Sequence, residues 1–166
     1  AFAYYPQYAE KITGLLDFQT TADFEPLLLV AEGSKGRVLG FTLSFLFADL
    51  RLAYLDYIVS DPKRSSRGYG TALYEATEEF LLEQRYRGLL MDVPPDEEAL
   101  LKEKQRLAVN RRRMAFYERL GARPITSTLY EHTPTPANQG YVTYLVYDDM
   151  ETGHPLSRRR LRQFIP

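Results

Sequence analysis

Cysteine and tryptophan are absent from the 166 residues, and histidine occurs only twice, as His132 and His154. Without cysteine there is no disulfide framework, no thiolate metal ligand and no cysteine nucleophile, and two histidines are too few for a histidine-rich metal centre. Zinc and redox chemistry are therefore not expected, nor is any metal, and a reducing cytoplasm suits such a chain. No apolar run approaches the ~20 residues that span a bilayer, and the first residues lack the basic-then-apolar order of a signal peptide. Charge of one sign is not in excess either: 21 Lys and Arg face 22 Asp and Glu. That balance gives no general attraction to nucleic acid or to an anionic membrane.

What is present is a globular composition. With 45% hydrophobic and 13% aromatic residues, the chain can bury enough apolar area to offset chain entropy, and its length suits about one domain. The charges are unevenly spread. Residues 1–62 carry 4 basic and 8 acidic side chains and residues 63–166 carry 17 and 14, so an anionic ligand favours the second part.

Apolar spacing and turn residues suggest the element order. Tyr8, Ile12, Leu15 and Leu16 predict a helix over 8–16, with Pro6 suited to its first turn. The apolar run 27–31, the turn Gly33-Ser34-Lys35-Gly36 and the Val-, Phe- and Leu-rich stretch 37–47 predict a β-hairpin, and 53–59 a third strand. From Gly68 the period becomes helical, with Leu73, Ala76, Thr77, Phe80 and Leu81 on one face to about Gln84 and Gly88 as the stop. A short strand follows over 89–93, before Pro94-Pro95. Helices are predicted over 96–107 and 110–120, the latter ending at Gly121, and closing strands over 125–130 and 141–147, separated by a loop at 133–140. The hairpins call for antiparallel pairs and the strand–helix–strand crossover for a parallel one. The expected fold is therefore α/β, with a mixed, mostly antiparallel sheet flanked by helices. The domain is expected to run over 1–150, with 151–166 as a basic tail or linker.

The stretch Asp61-Pro62-Lys63-Arg64-Ser65-Ser66-Arg67-Gly68-Tyr69-Gly70-Thr71 joins a strand to an amphipathic helix. Glycines at a helix start let backbone N–H groups approach a ligand, the helix dipole adds about half a positive charge, and Lys63, Arg64 and Arg67 add full ones. A pyrophosphate suits this chemistry; a tight turn with solvated basic residues is the bland alternative. A Walker A loop is ruled out because no Gly-Lys-Ser/Thr follows, and a Rossmann fingerprint because Leu73 stands at its third glycine.

Ser65-Ser66-Arg67-Gly68-Tyr69-Gly70 resembles motif A of the GCN5-related N-acetyltransferases (GNAT), Arg/Gln-x-x-Gly-x-Gly/Ala, and the strand and Pro62 before it match the approach to that loop. Asn110-Arg111-Arg112-Arg113-Met114-Ala115-Phe116-Tyr117-Glu118-Arg119-Leu120-Gly121-Ala122 resembles the late helix of the same family. The two motifs stand in the right order around the strand at 89–93, and the match covers 53–122. Ser65 departs from the family's Arg or Gln, and the segment 94–109 is longer than the usual connection, as if a charged helix had been inserted.

The resemblance implies a central βαβ unit that binds acetyl-CoA, and transfer of its acetyl group to a primary amine by direct attack. It implies cofactor contacts from backbone groups of Tyr57, Ile58 and Val59, from Arg64, Ser65, Ser66, Arg67, Gly68, Tyr69, Gly70 and Thr71, and from Asn110, Arg113 and Tyr117. The family's strands splay around the pantetheine arm. Tyr117 falls at the general-acid position, where a phenol of pKa ~10 stays protonated at neutral pH; core packing is the competing use of a Phe-Tyr pair. Asn110 serves the cofactor through its amide or caps a helix. Asp56 and Asp92 are the candidates for a base or for orienting a cationic amine, with Glu32 and His132 behind them. An ordinary Asp has pKa ~3.9 and needs burial to act as a base.

The basic run Arg158-Arg159-Arg160-Leu161-Arg162 reads as a solvated helix or linker, with an acidic partner as the alternative. The resemblance allows a homodimer or fusion to another domain. A non-catalytic acyl-CoA-binding or regulatory domain is the second functional reading. A nucleic-acid-binding module using Arg111 to Arg113 is a distant third, given the near-neutral total.

Overall fold

The computed structural model describes residues 12–14, 24–61, 68–98, 104–126 and 142–164. Most of the helix expected over 8–16, the loop at 133–140 with His132, and the basic residues 63–67 lie outside these. The chain divides into two compact units, residues 1–86 and 87–166.

The first unit is an antiparallel meander packed under a helix. β1 (Glu25–Glu32) pairs with β2 (Val38–Phe47), and β2 with β3 (Leu52–Ser60). The expected hairpin turn is a 3-10 turn at Ser34–Gly36, with Lys35 and Gly36 at positive φ. Alternation along β2 sends Thr42 and Ser44 to the face covered by α1 (Tyr69–Glu83). The buried residues of α1 are Leu73, Tyr74, Thr77 and Leu81, spaced at one helical face. This corrects the expected stripe: Tyr74 is fully buried, whereas Ala76 is exposed. Thr77 Oγ1 donates to Leu73 O at 2.8 Å, so the 3.0 Å contact with Thr42 Oγ1 has Thr42 as donor. Two fully buried hydroxyls thereby satisfy each other.

Gly88 does not stop α1. The helix closes on Gln84 with Arg85 at φ +63°, where Arg85 N–H donates to Leu82 O (2.9 Å) and Tyr86 N–H to Leu81 O (2.8 Å). This is the Schellman bond pair, formed here without the usual glycine. Gly88 answers a different demand: a Cβ there would stand 2.3 Å from the Tyr147 ring.

The second unit pairs β4 (Leu89–Val93) with β6 (Tyr144–Asp148), and β6 with β5 (Arg123–Pro124), all antiparallel. The closing strands are shorter than expected. β5 precedes the predicted 125–130, although Ile125 N–H still reaches Leu145 O at 2.8 Å; residues 127–130 lie outside the described residues. Four of the five residues of β4 are buried, the continuous apolar run of a strand covered on both faces.

The two helices expected over 96–107 and 110–120 are corrected as well. Residues 94–98 are not helical, and one helix, α2 (Lys104–Arg119), runs through the expected break. Its buried stripe explains this: Leu107, Asn110, Met114 and Tyr117 recur at spacings of three and four, and no breaker separates Leu107 from Asn110. α2 ends as expected at Gly121, φ +103°. The basic run is helical, α3 (Arg158–Phe164). Among the described residues no helix is long and apolar enough to cross a membrane.

Candidate functional site

The loop that enters α1 is anchored at its start. Asp61 N–H donates to Leu39 O at 2.8 Å, and Arg37 Nη2 meets Asp61 Oδ2 at 2.9 Å. Residues 62–67, including Arg64, Ser65, Ser66 and Arg67, lie outside the described residues. The chain reappears at Gly68, the N-cap of α1, with φ +78° and ψ 3°. That left-handed conformation, and not lack of space, demands glycine, since a Cβ would meet nothing within 4 Å. Among the described residues no side chain caps the helix, and its first turn carries no acidic residue. The leading N–H groups at Tyr69, Gly70 and Thr71 therefore have no side-chain acceptor from the cap, and the positive end of the dipole is not neutralised there. This end of α1 fits a phosphate group.

β3 brings Tyr57, Ile58 and Val59, all half-buried, opposite Leu43, Thr42 and Phe41 of β2. One step earlier the register shifts: Leu43 faces Tyr57 but Ser44 faces Leu55, so the ladder skips Asp56. A bulge leaves the extra residue out of the regular pairing and re-aims its side chain. Nothing in the spacing of Ala53 to Val59 reveals this, because a bulge is a property of two strands.

The remaining predicted residues belong to the second unit. Asp92 accepts a hydrogen bond from Thr143 Oγ1 at 3.3 Å. Asp92 is opposite Leu145 in the β4–β6 register, so alternation puts Thr143 on its face. Asn110 is only 8% exposed and sits in the interior of α2, which removes the N-cap reading; its Nδ2 donates to Pro95 O at 2.8 Å. Tyr117 lies in the last turn of α2, is 6% exposed and packs edge-on to Phe116 with centroids 5.2 Å apart. Burial pushes its phenol up to about 12, with a smaller downward pull from the Arg113 guanidinium. Arg113 itself is exposed on α2. Glu32 is exposed at the end of β1. Thr143, Tyr144 and Glu97 escaped the sequence reading: Tyr144 Oη donates to Glu97 Oε1 at 2.9 Å across 47 residues of chain. Among the described residues no three His, Asp or Glu side chains gather as metal ligands.

A helix opened by a left-handed glycine follows a three-stranded meander, and a buried strand and a late helix carrying Phe116-Tyr117-Glu118-Arg119 come after it. The acetyltransferase (GNAT) family pattern matches residues 2–122. The chain belongs to that family. Its fold is the family's mixed α/β arrangement, with mostly antiparallel strands flanked by helices. GCN5 from Tetrahymena is 16% identical, with TM-score 0.58 over 94% of this chain and 83% of that one. The ribosomal-protein-S18-alanine N-acetyltransferase of Escherichia coli is 19% identical, with TM-score 0.58 over 89% and 81%. The PaiA N-acetyltransferase of Thermoplasma acidophilum, solved in complex with coenzyme A, is 14% identical, with TM-score 0.54 over 75% of this chain and 61% of its own. No curated protein matches the chain.

Proposed function

We propose that this protein is an acetyl-CoA-dependent N-acetyltransferase that acetylates a primary amine by direct attack. The observation that carries the reading is the uncapped start of α1 at Gly68, with no acid in its first turn and a basic loop before it. Backbone N–H groups there, with Arg64, Arg67 and the hydroxyls of Ser65, Ser66 and Thr71, hold the pyrophosphate. Backbone groups of Tyr57, Ile58 and Val59 align the pantetheine arm. Acetyl-CoA supplies an activated thioester, and the chain's own residues supply position and protons.

Asp56 and Asp92 attract and orient the cationic acceptor and accept its proton, directly or through water. Tyr117 hydrogen-bonds the departing sulfur. With its phenol at about 12 against a thiol of pKa ~8.5, complete proton transfer from Tyr117 is uphill by ~3.5 pH units, ~5 kcal/mol. Its part is a strengthened hydrogen bond as charge develops, with the final proton coming from solvent. A cytoplasmic location goes with this reading.

Ser65, at a position where the family commonly has Arg or Gln, favours a second reading, a non-catalytic acyl-CoA-binding domain. Coenzyme A release measured across a panel of small amines, polyamines, aminoglycosides, peptide N-termini and protein lysines separates the two. Turnover with one class supports the transferase; tight acetyl-CoA binding without turnover on any acceptor favours the binding domain.

A further inference from the structure

Residues 94–98 follow β4 directly, form no regular structure, and yet are held at nearly every position. Pro94 and Pro95 have no N–H, so this stretch cannot continue a ladder from its own donors. Pro95 is buried, and a buried carbonyl needs a donor. Asn110 Nδ2 supplies it at 2.8 Å. Next to it on α2, Arg111 Nε donates to Asp96 O at 3.2 Å, and Arg111 Nη2 stands 3.8 Å from Glu98 Oε1. That last pair is exposed and contributes little. From the other side, β6 reaches Glu97 through the Tyr144 hydroxyl at 2.9 Å, with Tyr144 itself buried. Two elements far apart in sequence therefore grip one short segment, and the better ties are those from the buried Asn110 and Tyr144.

We propose that Asn110 and Tyr144 are positioning residues that hold residues 94–98 as a fixed wall on the acceptor side, with the Asn110 amide nitrogen committed to Pro95 and not to the cofactor. The inference rests on the acetyltransferase reading above, because the wall is assigned to the acceptor by following directly on Asp92 and Val93. The brace fixes the Glu97 carboxylate through Tyr144, and Thr143 on the same strand ties Asp92 at 3.3 Å. Which amine fits is then set by a stiff wall and not by a loop that adapts to each acceptor, the usual consequence of pre-organisation.

The test uses Asn110→Leu and the milder Tyr144→Phe, which deletes one hydroxyl and keeps the ring. Acetyl-CoA affinity is read by calorimetry, amide hydrogen exchange over 96–98 by mass spectrometry, and amine KM and kcat on the best acceptor of the panel. Both variants should speed exchange at 96–98 about tenfold, since each removes a tie worth about one power of ten. Both should raise amine KM several-fold with a smaller change in kcat, and leave acetyl-CoA affinity within about twofold. Weaker acetyl-CoA binding in Asn110→Leu, with exchange unchanged, overturns the proposal and returns the amide to the cofactor. Faster exchange with unchanged amine KM in both variants overturns the acceptor wall while leaving the transferase reading intact. A wild-type chain that binds acetyl-CoA and acetylates no amine overturns the wall together with that reading.

Discussion

Replacing Tyr117 by Phe removes one oxygen from a site where the ring is already fixed. The ring is 6% exposed and packs edge-on to Phe116, so Phe keeps the buried area and the aromatic contact. Loss of a hydroxyl and its hydrogen bond costs about 0.5–1.5 kcal/mol of stability. The catalytic loss is larger. General-acid assistance is worth ~10² to 10⁴ in rate, and a phenol held at about 12 by burial transfers its proton incompletely. The lower end applies, a fall in kcat of about 100-fold, or ~2.7 kcal/mol. Single-turnover acetyl transfer, followed by thiol release with saturating amine, isolates the chemical step, and calorimetry gives acetyl-CoA affinity in parallel. Affinity should stay within about twofold, as expected of an interaction that strengthens only in the transition state. Because the phenol ionises so late, the wild type should show no falling limb from Tyr117 in its pH–rate profile below about pH 11. An undiminished single-turnover rate refutes the role of the hydroxyl. A loss of stability matched by parallel losses in binding and rate refutes it too, and makes Tyr117 a packing residue.

The same phenol shapes alkaline stability. Its folded pKa of about 12 exceeds the ordinary 10.0, so its contribution is full below pH 10 and is lost as pH rises towards 12, up to ~2.7 kcal/mol at 1.36 kcal/mol per unit. Urea unfolding across that window should show a steeper decline for the wild type than for Tyr117→Phe, and parallel curves contradict the burial argument. Gly68→Val forces a β-branched residue to φ +78°, which costs about 1–3 kcal/mol and disturbs the amides at the start of α1. Acetyl-CoA at 100 times Kd should stabilise the wild type by ~2.7 kcal/mol in a thermal shift experiment and Gly68→Val far less; equal shifts refute the phosphate loop. Ser44 Oγ is buried with no hydrogen-bond partner among the described residues, so Ser44→Ala should raise the stability by about 1 kcal/mol. A lower midpoint shows that the hydroxyl has a partner after all.

Much was legible in the residues because it depends on near neighbours in the chain. Helical spacing from Gly68 and the apolar run 89–93 placed α1 and β4 within a residue or so of their bounds, since side-chain period and backbone type are local matters. The glycines at the start of α1 were also visible in the basic loop, whereas the positive φ of Gly68 was not. Where the sequence misled, the helix bounds were set by each helix's own bonds and buried stripe, and the need for Gly88 by a distant ring. α1 ends at Arg85 because backbone carbonyls of its own last turn accept the Schellman bonds, while Gly88 is held open for the ring of Tyr147, 59 positions away. α2 runs through Ala108 and Val109 because Leu107 and Asn110 share a stripe with Met114 and Tyr117 that burial rewards as one helix.

The candidate site divides along the same line. Residue types and their order sufficed for the family, because it rests on short motifs. The bulge at Asp56, the Thr143 hydroxyl on Asp92, the Asn110 amide on Pro95 and the Tyr144 hydroxyl on Glu97 were decided by tertiary structure alone. Each depends on register between strands, or on a helix face meeting a loop, and the three hydrogen bonds span 15 to 51 residues of chain. A one-residue slip in either register would turn those side chains to the opposite face with no change in local sequence.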